Sequence, residues 1–112
     1  MNWLHEIAYF FGGAFLTNAL PHLVAGLQGK PFQSPFAHPP GQGLSTSRTN
    51  ALWGAANVAL AWLLLGKIGA FDIRAPLDAG AAFAGGFILA VLMSQRFGRF
   101  NGGNSPSGDK AP

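Results

Sequence analysis

The side chains best suited to chemistry in this chain are gathered in one short segment. Asn18 and His22 are four residues apart, so an α-helix presents both on the same face. Pro21 lies between them, and because it has no N–H it leaves the carbonyl of Thr17 without a helical partner and predicts a kink. An amide, an imidazole and a free carbonyl could together bind a ligand, an ion or a proton.

A second predicted helix carries a matching polar stripe made of Asn50, Trp53 and Asn57. Counted from the predicted helix ends at about 1.5 Å per residue, His22 lies about 8 Å inside the first helix, Asn18 about 14 Å and Asn57 about 10 Å. If the two helices are antiparallel, these three side chains share one depth, with Asn50 at the mouth above them. The group could serve only to hydrogen bond one helix to the other, or it could line a ligand or proton pocket.

The elements that position these residues are predicted from composition. The chain has 112 residues, of which 10% are charged, whereas soluble domains carry about 25%. We predict an all-α membrane protein with three transmembrane helices, over about 5–27, 49–69 and 76–96. They form one domain over 1–100, surrounded by the lipid bilayer, and a disordered polar tail follows over 101–112.

The segment between the first two helices is rich in proline, glycine and phenylalanine, which excludes a long helix there. Its phenylalanines, Phe32 and Phe36, each follow a proline. The loop could be a semi-rigid connector whose rings rest at the membrane interface. Alternatively, it could fold over the helix ends as a cap and close a cavity.

Small residues at four-residue spacing predict close packing of the second and third helices against other transmembrane helices. The partner helices could belong to this chain, to a second copy or to a partner subunit. The stripes are Ala51, Ala55 and Ala59 on the second helix and Ala82, Gly86 and Ala90 on the third.

Several functions are disfavoured. The chain has no cysteine, which excludes a thiolate metal site, and its histidines are dispersed, which argues against a metal centre. The basic residues are scattered at helix ends, which argues against nucleic-acid binding. Ser94 and Asp78 lie about 24 Å apart on one helix at about 1.5 Å per residue, so they cannot form a triad with His22. We therefore predict no cofactor, no metal and no enzymatic activity.

The basic residues also predict an orientation. More of them flank the membrane at the first loop and the C-terminal end than at the other side, which places that side in the cytoplasm and the N-terminus outside. On the predicted cytoplasmic side are Lys30, Arg48, Arg96, Arg99 and Lys110, and on the other side are Lys67 and Arg74.

Four short motifs follow one another roughly between residues 12 and 57. They are Asn18-x-x-Pro21-His22-x-x-x-Gly26, Gly29-x-Pro31-Phe32-x-x-Pro35-Phe36, Pro39-Pro40-Gly41 and Asn50-x-x-Trp53-Gly54. Together they resemble a family of small uncharacterised bacterial inner-membrane proteins. The resemblance implies a bacterial inner-membrane location and supplies neither an activity nor functional residues.

The sequence thus favours a non-enzymatic membrane protein, either a helix-packing subunit or a homo-oligomer. The alternative is a small transporter or channel that uses a polar pocket of Asn18, His22 and Asn57. Replacing His22 by alanine separates the two, because a packing role predicts lost assembly or stability whereas a transport role predicts a lost pH-dependent flux.

Overall fold

The computed structural model describes residues 2–108 and consists of three long α-helices joined by a structured loop and a shorter turn. α1 spans Trp3–Leu27, α2 spans Ser47–Gly66 and α3 spans Pro76–Asn101. Each helix is long and apolar enough to cross a membrane, which confirms the prediction of an all-helical chain with three such helices. α3 continues beyond the predicted end near residue 96, and residues 109–112 of the predicted tail lie outside the described residues.

Local sequence explains where the helices begin and end. The side-chain oxygen of Asn2 accepts hydrogen bonds from two amides in the first turn of α1, and the hydroxyl of Thr46 caps α2 in the same way through the amide of Thr49. α3 begins at Pro76, where a missing N–H costs nothing. It ends at Asn101, and the next residue, Gly102, has a φ of 85° in the left-handed region.

The loop between α1 and α2 is folded rather than open. Two-residue strands, β1 (Phe32–Gln33) and β2 (Leu44–Ser45), pair antiparallel and close its base. The hydroxyls of Ser34 and Ser45 hydrogen bond at 2.6 Å beside this pair. The amide of Gly41 donates to the carbonyl of Ser34, and the φ of Gly41 is 74°, a value that glycine adopts without strain.

α1 is the central helix and packs against both α2 and α3, whereas the direct contact between α2 and α3 is small. Glycines make the contact between α1 and α3 close. A Cβ atom on Gly13 would overlap the carbonyl of Ala82, and one on Gly85 would overlap the carbonyl of Phe10. The backbones therefore approach at two levels where any side chain would separate them.

The contact between α1 and α2 uses glycines in the same way. Gly54 lies against Leu23, and Gly26 lies against the backbone of Ala51. The residues of α2 that become buried recur at alternating spacings of four and three, which is one face of a helix. They are Asn50, Gly54, Asn57 and Ala61.

The predicted small-residue stripes are divided by the fold. Ala51 and Ala82 lie against α1, and Gly86 lies beside Thr17 and Gly13. Three other members of these stripes remain exposed on the surface of the chain and are Ala55, Ala59 and Ala90.

Large apolar side chains cover the outer surface of the bundle. Phe83, Phe87 and Leu92 on α3 are each more than half exposed, at 72%, 57% and 56%. The inner positions are instead filled mainly by small or polar residues, among them Ala19, His22 and Asn57. This distribution, apolar outside and polar within, is the one that a lipid environment favours.

Candidate functional site

The folded loop, α1, α2 and the C-terminal part of α3 enclose a partly open cavity of about 310 Å³. Its volume is at the lower end of the range for small-molecule sites in proteins, about 300–1,000 Å³. α1, α2 and α3 each contribute side chains, and the loop contributes the rest. The lining residues are Asn18, His22, Gln33, Ser34, Pro35, Pro40, Gly41, Trp53, Met93, Arg96 and Phe97.

Asn50 fixes the position and the proton of His22. Its side-chain nitrogen donates to the carbonyls of Phe32, Ser45 and Thr46 at 3.0–3.2 Å. Those three acceptors require a donor, so the amide oxygen of Asn50 is the atom that lies 2.8 Å from Nδ1 of His22. An oxygen acceptor there requires a proton on Nδ1. In the neutral imidazole, Nε2 is then a hydrogen-bond acceptor.

A second polar pair, Asn18 and Asn57, lies about one helical turn deeper, and its hydrogen-bond partners likewise determine how each amide is oriented. The side-chain nitrogen of Asn57 donates to the carbonyl of Trp53 at 2.8 Å. The amide oxygen of Asn57 consequently accepts from the side-chain nitrogen of Asn18, at 3.0 Å. This leaves the amide oxygen of Asn18, a cavity-lining residue, as an acceptor.

Three polar atoms on cavity-lining residues have no hydrogen-bond partner among residues 2–108. They are Nε2 of His22, the amide oxygen of Asn18 and the indole N–H of Trp53. The indole nitrogen is itself buried. The other two atoms are not buried, so a molecule that donated hydrogen bonds to Nε2 of His22 and to the amide oxygen of Asn18 would be stabilised in the cavity.

Aromatic rings connect the loop to the helices. The ring of Phe32 lies 5.6 Å from that of His22 and 4.6 Å from that of Phe97, which is on α3. The ring of Phe36 meets Trp53 edge to face at 5.2 Å, although Phe36 itself is largely exposed. The loop therefore contacts α1, α2 and α3 through the rings of Phe32 and Phe36.

Polar contacts hold the same loop against α3. The side chain of Asn101 donates to the side-chain oxygen of Gln33 at 2.9 Å, and the guanidinium of Arg96 donates to the carbonyl of Gly41 at 3.3 Å. The sequence predicts Arg96 only as a basic residue at the membrane border, and it does not predict that Gln33 lines the cavity. Nothing in the local sequence marks either residue, because their contacts join positions far apart in the chain.

The structure brings together most of the predicted pocket residues, in two separate pairs. Asn18 bonds to Asn57, whereas His22 bonds to Asn50, the residue that the sequence placed at the mouth. Pro21 is half-buried on the same helix, outside the cavity lining, and α1 is helical through it.

The opposite end of the bundle holds a second polar group. The carboxyl groups of Glu6, on α1, and Asp78, on α3, lie close to each other there. Asp78 accepts from the amide of Asp72 at 3.0 Å, which fastens the turn before α3. Tyr9 is buried beside them and packs edge to face on Phe71 at 5.0 Å.

The described part of the chain, residues 2–108, contains no group of three or more His, Asp or Glu side chains that could hold a metal ion. Ser94, the serine considered for a triad, is exposed and donates to the carbonyl of Val91. Comparisons of the chain with protein-family models, with curated proteins and with solved structures give no match.

Proposed function

We propose that this chain is a small multi-pass membrane protein that binds a small molecule reversibly, without catalysis, in the cavity beneath the loop. This proposal is carried by two acceptors on lining residues that have no hydrogen-bond partner among residues 2–108, Nε2 of His22 and the amide oxygen of Asn18. The binding site is also what a small transporter or channel would need.

The proposed location is the bacterial inner membrane, with the loop and the C-terminal end of α3 in the cytoplasm. The three apolar helices support membrane insertion. The excess of basic residues at the cavity end supports the orientation. The ligand would then reach the cavity from the cytoplasmic side.

Fluorescence of Trp53 tests whether the cavity binds ligands. Trp3 and Trp62 are exposed, so replacing both by phenylalanine leaves Trp53 as the reporter. We expect a saturable change when the purified protein in neutral detergent is titrated with phenyl-bodied alcohols, amides and acids, mandelamide and mandelate among them.

Met93 supplies the matched controls for this titration because it lines the cavity on α3. Met93→Phe adds volume and should abolish the saturable change, whereas Met93→Leu nearly conserves volume and should retain it. The proposal fails if no compound gives a saturable change, or if the two variants behave alike.

A second candidate is the helix-packing subunit or homo-oligomer, and it is favoured by the exposed small residues Ala55 and Ala59 on α2. A partner helix could approach this face closely. Ala55→Phe should then reduce the mass of the detergent-solubilised assembly, whereas Val91→Phe, at an exposed position of α3 outside both stripes, should not. Equal masses for both variants and the unmodified chain would exclude this use of the face.

A further inference from the structure

We propose that the ligand of the cavity is a small organic anion with an apolar body and a hydrogen-bond-donating group, such as a hydroxy acid. This inference rests on the proposed function and names the chemical class that the same site selects. It follows from the charge around the cavity, from the free hydrogen-bond donors of Arg96, and from the arrangement of the other lining groups.

The acidic side chains of residues 2–108 are confined to one end of the bundle, where Lys67 and Arg74 accompany them. The carboxylates of the described chain, Glu6, Asp72 and Asp78, are at the start of α1 or around the start of α3, the end opposite the cavity. The charged side chains at the cavity end in residues 2–108 are all basic and are Lys30, Arg48, Arg96 and Arg99. A ligand that enters this end meets a positive potential, which attracts anions and repels cations.

Arg96 is the basic residue that lines the cavity itself. A guanidinium has five N–H donors and binds carboxylate or phosphate oxygens in pairs. Within residues 2–108, the guanidinium of Arg96 makes one hydrogen bond, to the carbonyl of Gly41 at 3.3 Å. It also lies over the ring of Phe100. Most of its donors therefore stay available to a ligand.

The remaining lining groups indicate what the rest of the ligand must be. The side chains of Phe97, Met93 and the loop prolines form an apolar wall that suits an aromatic or aliphatic body. The acceptors on His22 and Asn18 lie deeper and require an O–H or N–H on the ligand. Because both are acceptors, they would repel a carboxylate, so the anionic end belongs at Arg96 and the donor end inside.

The test compares mandelate with mandelamide, which share a phenyl ring and a hydroxyl and differ in charge. With Trp53 as the only tryptophan, we expect mandelate to bind about tenfold more tightly, the effect of one charge-assisted hydrogen bond. Arg96→Gln should remove that preference. Arg99→Gln removes the same charge from an exposed position outside the cavity lining and should preserve it.

Arg96→Lys keeps the charge and loses the paired donors, so it should give an intermediate preference and shows that a loss in Arg96→Gln is not misfolding. Equal affinities for mandelate and mandelamide would overturn the anion class while leaving the binding cavity in place. Equal losses in Arg96→Gln and Arg99→Gln would also overturn it, because the effect would then be a general one of charge. Failure of both compounds to bind would overturn this inference, and failure of every compound in the titrated series would remove the proposed function as well.

A lipid phosphate offers the same anionic chemistry as a soluble acid, and competition separates the two sources. The headgroup of dihexanoyl phosphatidylglycerol has a net negative charge, whereas that of dihexanoyl phosphatidylcholine has no net charge. Displacement of mandelate by the first lipid alone identifies a lipid headgroup as the occupant. Retention of mandelate in the presence of both identifies a soluble anion.

Discussion

Asn50 is the side chain on which the site depends most. It bonds to His22 of α1, to the carbonyl of Phe32 in the loop, and to two carbonyls at the start of its own helix. It is fully buried, so water cannot replace these partners in its absence. One amide thereby fixes the imidazole, the loop and the first turn of α2 relative to one another.

Asn50→Ala should lower the free energy of unfolding by about 2–3 kcal/mol, because a buried imidazole N–H and a loop carbonyl lose their partner. The measurement is unfolding by SDS titration in mixed micelles, followed by circular dichroism. Asn104→Ala is the control: Asn104 is exposed, follows the end of α3, and its side chain donates to the carbonyl of Gln95. Its replacement should change the free energy of unfolding by no more than about 0.5 kcal/mol. Similar losses for the two would contradict the role given to Asn50.

At the scale of the helices, glycine rather than alanine determines how closely α1 approaches its neighbours. Gly85 faces the backbone of Phe10, whereas a Cβ on Gly80 of the same helix would meet open space. Replacing each of these two glycines by alanine therefore distinguishes the effect of helix packing from that of helix propensity, because both lie on α3.

Gly85→Ala should destabilise the protein by about 1–3 kcal/mol, because a methyl group forces α1 and α3 apart. Gly80→Ala should be neutral or stabilise it by up to about 1 kcal/mol, since alanine is the better helix former. SDS-titration unfolding of the two variants gives the comparison. A stabilising Gly85→Ala would show that the two helices do not pack through this face.

Sequence periodicity predicted the helices well and their contact faces only in part. On α2 it identified Asn50, Trp53 and Asn57 as one stripe, and these residues do face α1 or the cavity. It could not decide between the neighbouring small-residue faces, because Ala55 and Gly54 are equally suited to close packing by size. The buried side-chain amides of Asn50 and Asn57 determine which face of α2 packs against α1, because each needs a hydrogen-bond partner and only one rotation of α2 provides both partners.

The loop was the least predictable element. Its prolines and glycines predicted a turn-rich segment, and Phe32 and Phe36 suggested a cap as one alternative. Its path over the cavity depends on contacts with Arg96 and Asn101, more than fifty residues away in the chain. Such long-range pairs leave no periodic signal in a single sequence.

At the scale of the whole molecule, three helices that cross a bilayer place the loop and the end of α3 on one side and the turn before α3 on the other. The chain has no cysteine, so single cysteines report on each segment without background. Gln42, Gly103 and Ile73 are exposed and sample the loop, the end of α3 and the turn, respectively.

In the proposed orientation the turn before α3 is outside the cell, so Ile73→Cys should react with a membrane-impermeant maleimide in intact cells. The same orientation places the loop and the end of α3 inside, so Gln42→Cys and Gly103→Cys should react only after the membrane is opened. The opposite pattern would reverse the orientation. Reaction of all three cysteines in intact cells would contradict a three-span arrangement.

The proposed binding site depends on His22, whose proton is held on Nδ1 by Asn50 and whose Nε2 is available to a ligand. The most direct measurement is the side-chain ¹⁵N NMR spectrum of His22 in a chain carrying His5→Gln and His38→Gln, recorded at a pH where the imidazole is neutral. We predict the Nδ1–H tautomer, and a shift of the Nε2 signal when mandelate is added as that nitrogen accepts a hydrogen bond. A proton found on Nε2, or a spectrum that saturating mandelate leaves unchanged, would contradict the account.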